Sequence, residues 1–359
     1  MSQITGPAPA PAPAPASASA SGAAFPRLGW VDDLVLPALQ AAVAALPATE
    51  RRAAGYHRGW CEADGTPLVA ASGRGKTVRP ALALLSAVAV GGSPQSALPG
   101  AVAVELVHDF TLLHDDVMDG DALRRHRPAV WSAFGTASAV LTGDALLVAA
   151  MREVAHSPAE FAAVAVQELV RALLDLVEGQ SHDVAFEQTP EVSVARYLAM
   201  AEGKTGSLMG CACALGGVLA GADSGRVRGL REFGRRLGVA FQCADDVMGI
   251  WGRAARSGKP VGADLAARKK SLPVVAALAG SCSAAERLRS LYRSPHPLDA
   301  QEVQLAGELV EKAGGRQAAE EEARRQMSAA LRALSHARPT ADAYRQLQEI
   351  ASMMIRRDS

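Results

Sequence analysis

Apolar residues recur at helical spacing through almost all of the chain beyond Phe25, and short breaks divide this pattern into segments of about 20 to 40 residues. The clearest breaks are Gly91-Gly92-Ser93-Pro94, Ser157-Pro158, Gln188-Thr189-Pro190 and Ser294-Pro295-His296-Pro297. No period-two alternation flanked by Asn-Gly or Asp-Gly turns interrupts it, so strands are not expected. Segments this long predict an all-α fold, a large helical bundle. The stretch from Asp299 to Arg357 is charged and amphipathic and reads as helices packed on the surface. Residues 1–24 alternate Pro with Ala and Ser and carry no charge. They bury too little to offset ordering, which predicts a partly polyproline-II tail ahead of a single helical domain at 25–359. That tail reads as a passive extension or as a tether whose first residues, MSQIT, dock on a protein partner or shell.

Composition narrows the picture. Apolar residues make up 49% and aromatics 4%, so the core is built from Ala, Leu and Val. Thirty-seven Lys and Arg balance thirty-seven Asp and Glu, which argues against a nucleic-acid coat or a polybasic membrane binder. Five scattered cysteines and no signal-peptide pattern predict a cytoplasmic protein. The uncharged stretch Thr205 to Ala222 holds five glycines directly after Lys204. It predicts a closely packed core helix, not a membrane span.

Charge is segregated. In His108-Asp109-Phe110-Thr111-Leu112-Leu113-His114-Asp115-Asp116-Val117-Met118-Asp119, helical spacing puts Asp115 and Asp119 on one face. Paired carboxylates between apolar flanks repel one another and need a cation; a few hard oxygen ligands with room for water suit Mg²⁺. Arg124-Arg125-His126-Arg127-Pro128 then ends the helix in a cationic cluster, which either neutralises the acids or holds a second anion. Phe241-Gln242-Cys243-Ala244-Asp245-Asp246 repeats the acidic pattern later in the chain. Two such pairs facing across a bundle would form a polynuclear Mg²⁺ site able to hold a diphosphate. Basic loops lie at 73–80 and 258–270, and Lys204-Thr205 opens the Gly-rich helix. Gly75-Lys76-Thr77 is not a P-loop, because Ala70 stands where its first Gly belongs.

In motif order from Gly73 to Pro273, the chain resembles the trans-isoprenyl diphosphate synthases, the polyprenyl synthetase family. Asp115 to Asp119 with Arg124-Arg125 matches the first aspartate-rich motif, and Gly75 to Pro80 the G-K-x-x-R-P loop. Gly179-Gln180-Ser181-His182-Asp183 matches G-Q-x-x-D, Lys204-Thr205 the K-T motif, and Phe241 to Asp246 F-Q-x-x-D-D. The resemblance implies the isoprenoid-synthase helical fold with a central apolar cavity. It also implies a homodimer and a head-to-tail prenyl transfer between isopentenyl diphosphate and an allylic diphosphate (dimethylallyl, geranyl or farnesyl). Asp115, Asp119 and Asp245, supported by Asp116 and Asp246, would hold Mg²⁺, three ions per site. Arg124, Lys204, Thr205, Gln242, Lys259 and Lys269 would contact the allylic diphosphate, with Lys270 able to serve in place of Lys269. Lys76, Arg79, His108 and Arg125 would hold isopentenyl diphosphate, and Gln180 and Asp183 would support the site from behind.

Three positions depart from the family pattern. Gly249 replaces a third aspartate of the second motif, which leaves one metal contact to pass through water. His126 replaces a Gly, and Ala129 a Thr. Phe110 and Thr111, one turn before Asp115, are the implied chain-length floor. At about 1.5 Å per residue, Phe110 lies roughly 7 Å deeper than Asp115. One aromatic with a small neighbour implies geranylgeranyl diphosphate (C20), with farnesyl diphosphate (C15) as the alternative. A class I terpene cyclase fits less well, since Gly249 and Arg253 stand where its second metal motif needs Ser or Thr and Glu. A non-catalytic partner subunit would be expected to lose the aspartates that this chain retains.

Overall fold

Helices begin and end where the breaks lie. The computed structural model describes residues 29–68, 78–252, 262–294 and 296–355. The first helices are α1 (Gly29–Ala44), α2 (Ala48–His57), α3 (Val78–Ala89) and α4 (Leu98–Met118), the last entered through a single 3₁₀ turn at Pro94–Ala97. They are followed by α5 (Val130–Phe134), α6 (Thr136–Ala155), α7 (Ala159–Gln188), α8 (Val194–Ala201), α9 (Ser207–Leu219) and α10 (Ser224–Trp251). Asp223 caps α10 by accepting from the amides of Gly225 and Arg226 at 2.9 and 3.0 Å.

The C-terminal part forms the helices Leu272–Leu278, Ser283–Arg293, Ala300–Lys312, Gly315–His336 and Ala341–Ile355. Gly315–His336 lies along α10, and Ala341–Ile355 returns to pack on α3. The core runs from Val31 on α1 to Met354 near the C-terminus and is rich in Ala, Leu and Val. Every residue of α9 is buried. Its thirteen residues fall short of the ~20 that cross a bilayer. One helical stretch, Pro94–Met118, has the length and apolarity to cross a membrane, but it is mostly buried inside the fold, as a core helix is.

Two local features differ from the sequence reading. α4 stops at Met118, and the cationic cluster does not end a helix. It forms a small hairpin, Leu123–Arg124 paired with Arg127–Pro128. The connecting pair, Arg125 and His126, is left-handed (φ 52° and 65°). A two-residue hairpin turn demands that conformation, and a glycine would adopt it without strain. Between α8 and α9 the chain does not break; residues Glu202–Gly206 form one π-helical turn that carries Lys204 and Thr205. The tail, Lys76 and Lys259 lie outside the described residues.

Candidate active site

Helix α4 delivers the first acidic pair. Asp119 follows its last residue as the C-cap, and the Asp119 amide still donates to Asp115 O at 2.8 Å, so the two carboxylates stay one turn apart. Burial pushes the Asp115 carboxyl up to about 6; Lys204 opposes this, and Asp119 and Asp183 add to it. The Asp119 carboxyl is also raised, chiefly by burial.

Asp116 points elsewhere. It is almost fully enclosed and takes a two-pronged ion pair from Arg124, with Nε at 2.8 Å from both oxygens and Nη2 at 2.6 Å from Oδ1. Asp116, expected to support the metal site, anchors the arginine of the hairpin through both oxygens.

The π turn is brought against α7 by two glycines. Gly179 and Gly203 pack backbone to backbone, and a Cβ on Gly203 would lie 3.0 Å from the Gly179 Cα. This close approach lets Lys204 Nζ donate to Asp183 Oδ2 at 2.6 Å. Gln180 Nε2 is buried with no hydrogen-bond partner among the described residues.

On α10, Asp245 is exposed and Asp246 is buried. The Asp246 carboxylate accepts from the Tyr197 hydroxyl, from the Leu272 amide at 2.7 Å and from Gln242 Nε2 at 3.0 Å. Burial still holds it up at about 6. Thr205 Oγ1 donates to Gln242 Oε1 at 2.8 Å, so a chain Thr205–Gln242–Asp246 ties the π turn to α10. Asp246, like Asp116, therefore organises the site through protein partners, as a residue expected to support the metal-holding acids can.

Lys269 joins the two acidic motifs. Its side chain keeps an open solvent face. Burial works against its charge, but Asp183, Asp264, Asp246 and Asp119 outweigh that and hold the ammonium above its ordinary value. Lys270, the alternative, donates to the carbonyls of Phe186 and Thr189 and faces away.

A second, cationic cluster lies two turns back along α4 from Asp115. Arg79 on α3 and Arg125 on the hairpin both act on His108 of α4 there. Burial, followed by Arg79, holds the His108 imidazole well below its usual range, so it is neutral. Arg79 Nε is buried without a hydrogen-bond partner among the described residues. Arg58, beside α2, completes the cluster by pairing with Glu105 (3.0 Å) and Asp109. Although burial would raise the Asp109 carboxyl, Arg58 and His57 hold it far below the carboxylate range. Tyr56, His57, Arg58, Arg124, Arg125 and Arg127 line a small pocket at this place. Arg58 and Tyr197 escaped sequence reasoning, because each meets its acid across about fifty residues of chain.

Phe110 is buried and meets the His114 ring edge to face at 4.7 Å. Thr111 Oγ1 is turned back to His108 O at 2.8 Å.

No group of three or more acid, His or Cys side chains that could hold an ion occurs among the described residues. That donor set still fits a hard divalent cation of Mg²⁺ type. Such an ion keeps several waters and binds through one or two carboxylates plus phosphate oxygens. Carboxylates beside guanidinium and amide nitrogens without partners among the described residues are groups suited to phosphorylated substrates.

Comparison with known proteins narrows that class. The family model described as polyprenyl synthetase matches residues 67–310. A geranylgeranyl diphosphate synthase of Mycobacterium tuberculosis is 48% identical over 302 residues, covering 84% of this chain and 86% of the relative. A (2E,6E)-farnesyl diphosphate synthase of Mycobacterium bovis is 40% identical over 341 residues, 93% of each. Among solved structures, a polyprenyl synthetase from Streptomyces coelicolor A3(2) superposes with a TM-score of 0.86 at 41% identity, over 91% of this chain and 98% of that one. A polyprenyl synthase from Caulobacter crescentus, complexed with calcium and isoprenyl diphosphate, gives 0.73 at 30% identity over 92% and 98%. The chain belongs to the polyprenyl synthetase family and is a prenyltransferase of the short-chain type.

Proposed function

We propose that the protein condenses an allylic diphosphate head-to-tail with isopentenyl diphosphate, with Mg²⁺ as the metal and geranylgeranyl diphosphate as the product. The carrying observation is the pairing of two clusters along one face of α4, with His108 two turns before Asp115. Asp115 and Asp119 stand with Lys204, Asp183 and Lys269 at the end of the helix, and His108 with Arg79 and Arg125 two turns earlier.

The allylic diphosphate lies over Asp115, Asp119 and Asp245. Bound there, up to three Mg²⁺ ions would supply the Lewis-acid stabilisation that a departing diphosphate needs. Lys204, Lys269 and, in the loop outside the described residues, Lys259 neutralise the charge that develops as the C–O bond ionises. Asp116 holds Arg124 through Nε and Nη2, which leaves Nη1 as the nitrogen to meet a phosphate oxygen. Thr205 and Gln242 set the orientation of the π turn. Arg79, Arg125 and neutral His108, with Lys76, hold isopentenyl diphosphate, and the unpartnered Arg79 Nε receives one of its oxygens. Its alkene attacks the allylic cation, and the departed diphosphate takes the final proton. The apolar interior keeps water from the cation.

Product length follows Phe110 and Thr111, which lie one turn inward of Asp115. The 48% identity to a geranylgeranyl diphosphate synthase supports the longer product, and the 40% identity to a farnesyl diphosphate synthase supports the alternative. A second copy of the chain completes the assembly. Val140, Leu141 and Val148 on α6 and Val170, Leu174, Val177 and Val184 on α7 are exposed apolar residues suited to bury one another in a homodimer. Unpaired cysteines support a cytoplasmic location.

The test is turnover of purified protein with labelled farnesyl diphosphate, isopentenyl diphosphate and Mg²⁺. Product should vanish when either isopentenyl diphosphate or the metal is withheld. Cyclised or hydrolysed product formed without isopentenyl diphosphate would overturn the reading.

A further inference from the structure

The chain folds back after the short helix Ala263–Ala266, and the fold-back is built on an arginine. The Arg268 amide donates to Leu265 O at 2.9 Å, and the Lys269 amide donates to Asp264 O at 2.8 Å. These two bonds close a helix end of the kind that places a left-handed residue, usually glycine, at the turn. Arg268 takes that place at φ 51°. A residue with a Cβ holds this conformation at a cost, so its surroundings must impose it. The imposing contacts come from the break between the helices Ser283–Arg293 and Ala300–Lys312. Arg268 Nη1 donates to Ser294 O at 2.6 Å, and Nη2 donates to His296 O. The helix before the turn is anchored to the same part of the fold. Leu265 is buried in one apolar cluster with Val274, Leu288 and Leu309, and a Cβ on Gly262 would lie only 2.8 Å from Val303 Cγ1. The fold-back separates two neighbouring lysines. Lys270 Nζ donates to the carbonyls of Phe186 and Thr189 at 3.2 and 3.0 Å, whereas Lys269 answers to Asp183, Asp264, Asp246 and Asp119.

We propose that Arg268 is the positioning residue for Lys269: its guanidinium clamps the carbonyls of Ser294 and His296, and this clamp holds the left-handed turn that aims Lys269, and not Lys270, into the cleft. This rests on the reading above in which Lys269 meets the allylic diphosphate. Arg268 touches no substrate group itself. It acts through the backbone of the next residue, because a change of its φ would break the Lys269–Asp264 bond and swing both lysines. The helices beyond α10 thereby take part in the reaction, since they supply the carbonyls and the apolar bed on which the turn is fixed.

The experiment is a double-mutant cycle on kcat/KM for farnesyl diphosphate, with full-length protein at saturating isopentenyl diphosphate and Mg²⁺. Lys269→Ala should lower it. Arg268→Ala should lower it roughly tenfold when Lys269 is present and about twofold or less when Lys269 is already alanine, as expected for two residues acting as a unit. KM for isopentenyl diphosphate should not move. Arg268→Gly, which takes the left-handed turn without strain, should retain more activity than Arg268→Ala. Full activity in Arg268→Ala, an equal loss in both backgrounds, or a glycine variant no better than the alanine one would overturn the proposal. An unimpaired Lys269→Ala would instead overturn the reading of Lys269, and the proposal with it. Circular dichroism checks each fold. Should Arg268→Ala not fold, Arg268→Gly carries the cycle, and its loss should again vanish without Lys269.

Discussion

Gly179 and Lys204 touch through their backbones: a Cβ on Gly179 would overlap the Lys204 amide nitrogen and lie 2.6 Å from the carbonyl carbon of Gly203. The π turn thus reaches α7 only because residue 179 has no side chain, and the Lys204–Asp183 pair depends on that approach. Gly179→Ala should push the turn outward. A shift near 1 Å costs about 100-fold in rate at a positioned group, and overpacking costs about 1–3 kcal/mol in stability. Steady-state kinetics and denaturant unfolding of that variant check both. Unchanged kcat would show that Lys204 does not need the contact.

The enclosed Asp116–Arg124 pair makes a different demand. Asp116→Asn leaves a half-buried guanidinium without its counter-charge, which should cost about 3 kcal/mol in urea unfolding. Activity should fall too, because the hairpin loses its anchor. A stable, fully active Asp116→Asn would contradict the anchoring role.

Burial raises Asp115 and Asp246 to about 6, above the 3.8 of an ordinary aspartate. The native state therefore holds protons that the unfolded chain releases between about pH 4 and 6. Stability from these groups is fully present below about pH 4 and is lost as pH rises through 6. Each such gap is worth about 2–3 kcal/mol. Metal-free protein in EDTA should be less stable at pH 7.5 than at pH 5, and Asp115→Asn should flatten that slope. Mg²⁺ with diphosphate should restore wild-type stability at pH 7.5 more than that of the variant. A slope of opposite sign in EDTA would contradict the assignment.

The apolar face on α6 and α7 gives a prediction about assembly. Wild-type protein should elute as a dimer with light-scattering detection, and Leu174→Glu/Val177→Glu should elute as a monomer. A monomeric wild type would remove the homodimer.

Helical spacing made much of this site readable. Asp115 and Asp119 sit one turn apart as their sequence separation implies, and the breaks at Gly91, Ser157, Thr189 and Ser294 all fall between helices. What stayed hidden involves partners distant in sequence. Tyr197 lies in a largely apolar octet, VARYLAMA, and reads as core until its hydroxyl is seen on Asp246. Arg58 passes over Glu62, which pairs with Arg127, and finds Asp109 fifty-one residues later. The hairpin was missed because its strands have two residues each, too few for alternation, and because its turn is Arg-His in place of a glycine pair.

Product sizing tests the central claim most directly. Purified protein with Mg²⁺, isopentenyl diphosphate and labelled dimethylallyl, geranyl or farnesyl diphosphate should yield geranylgeranyl diphosphate as the main product, and Phe110→Ala should lengthen it. A dominant C30 or longer product from the wild type, or no prenyl transfer at all, would contradict the account.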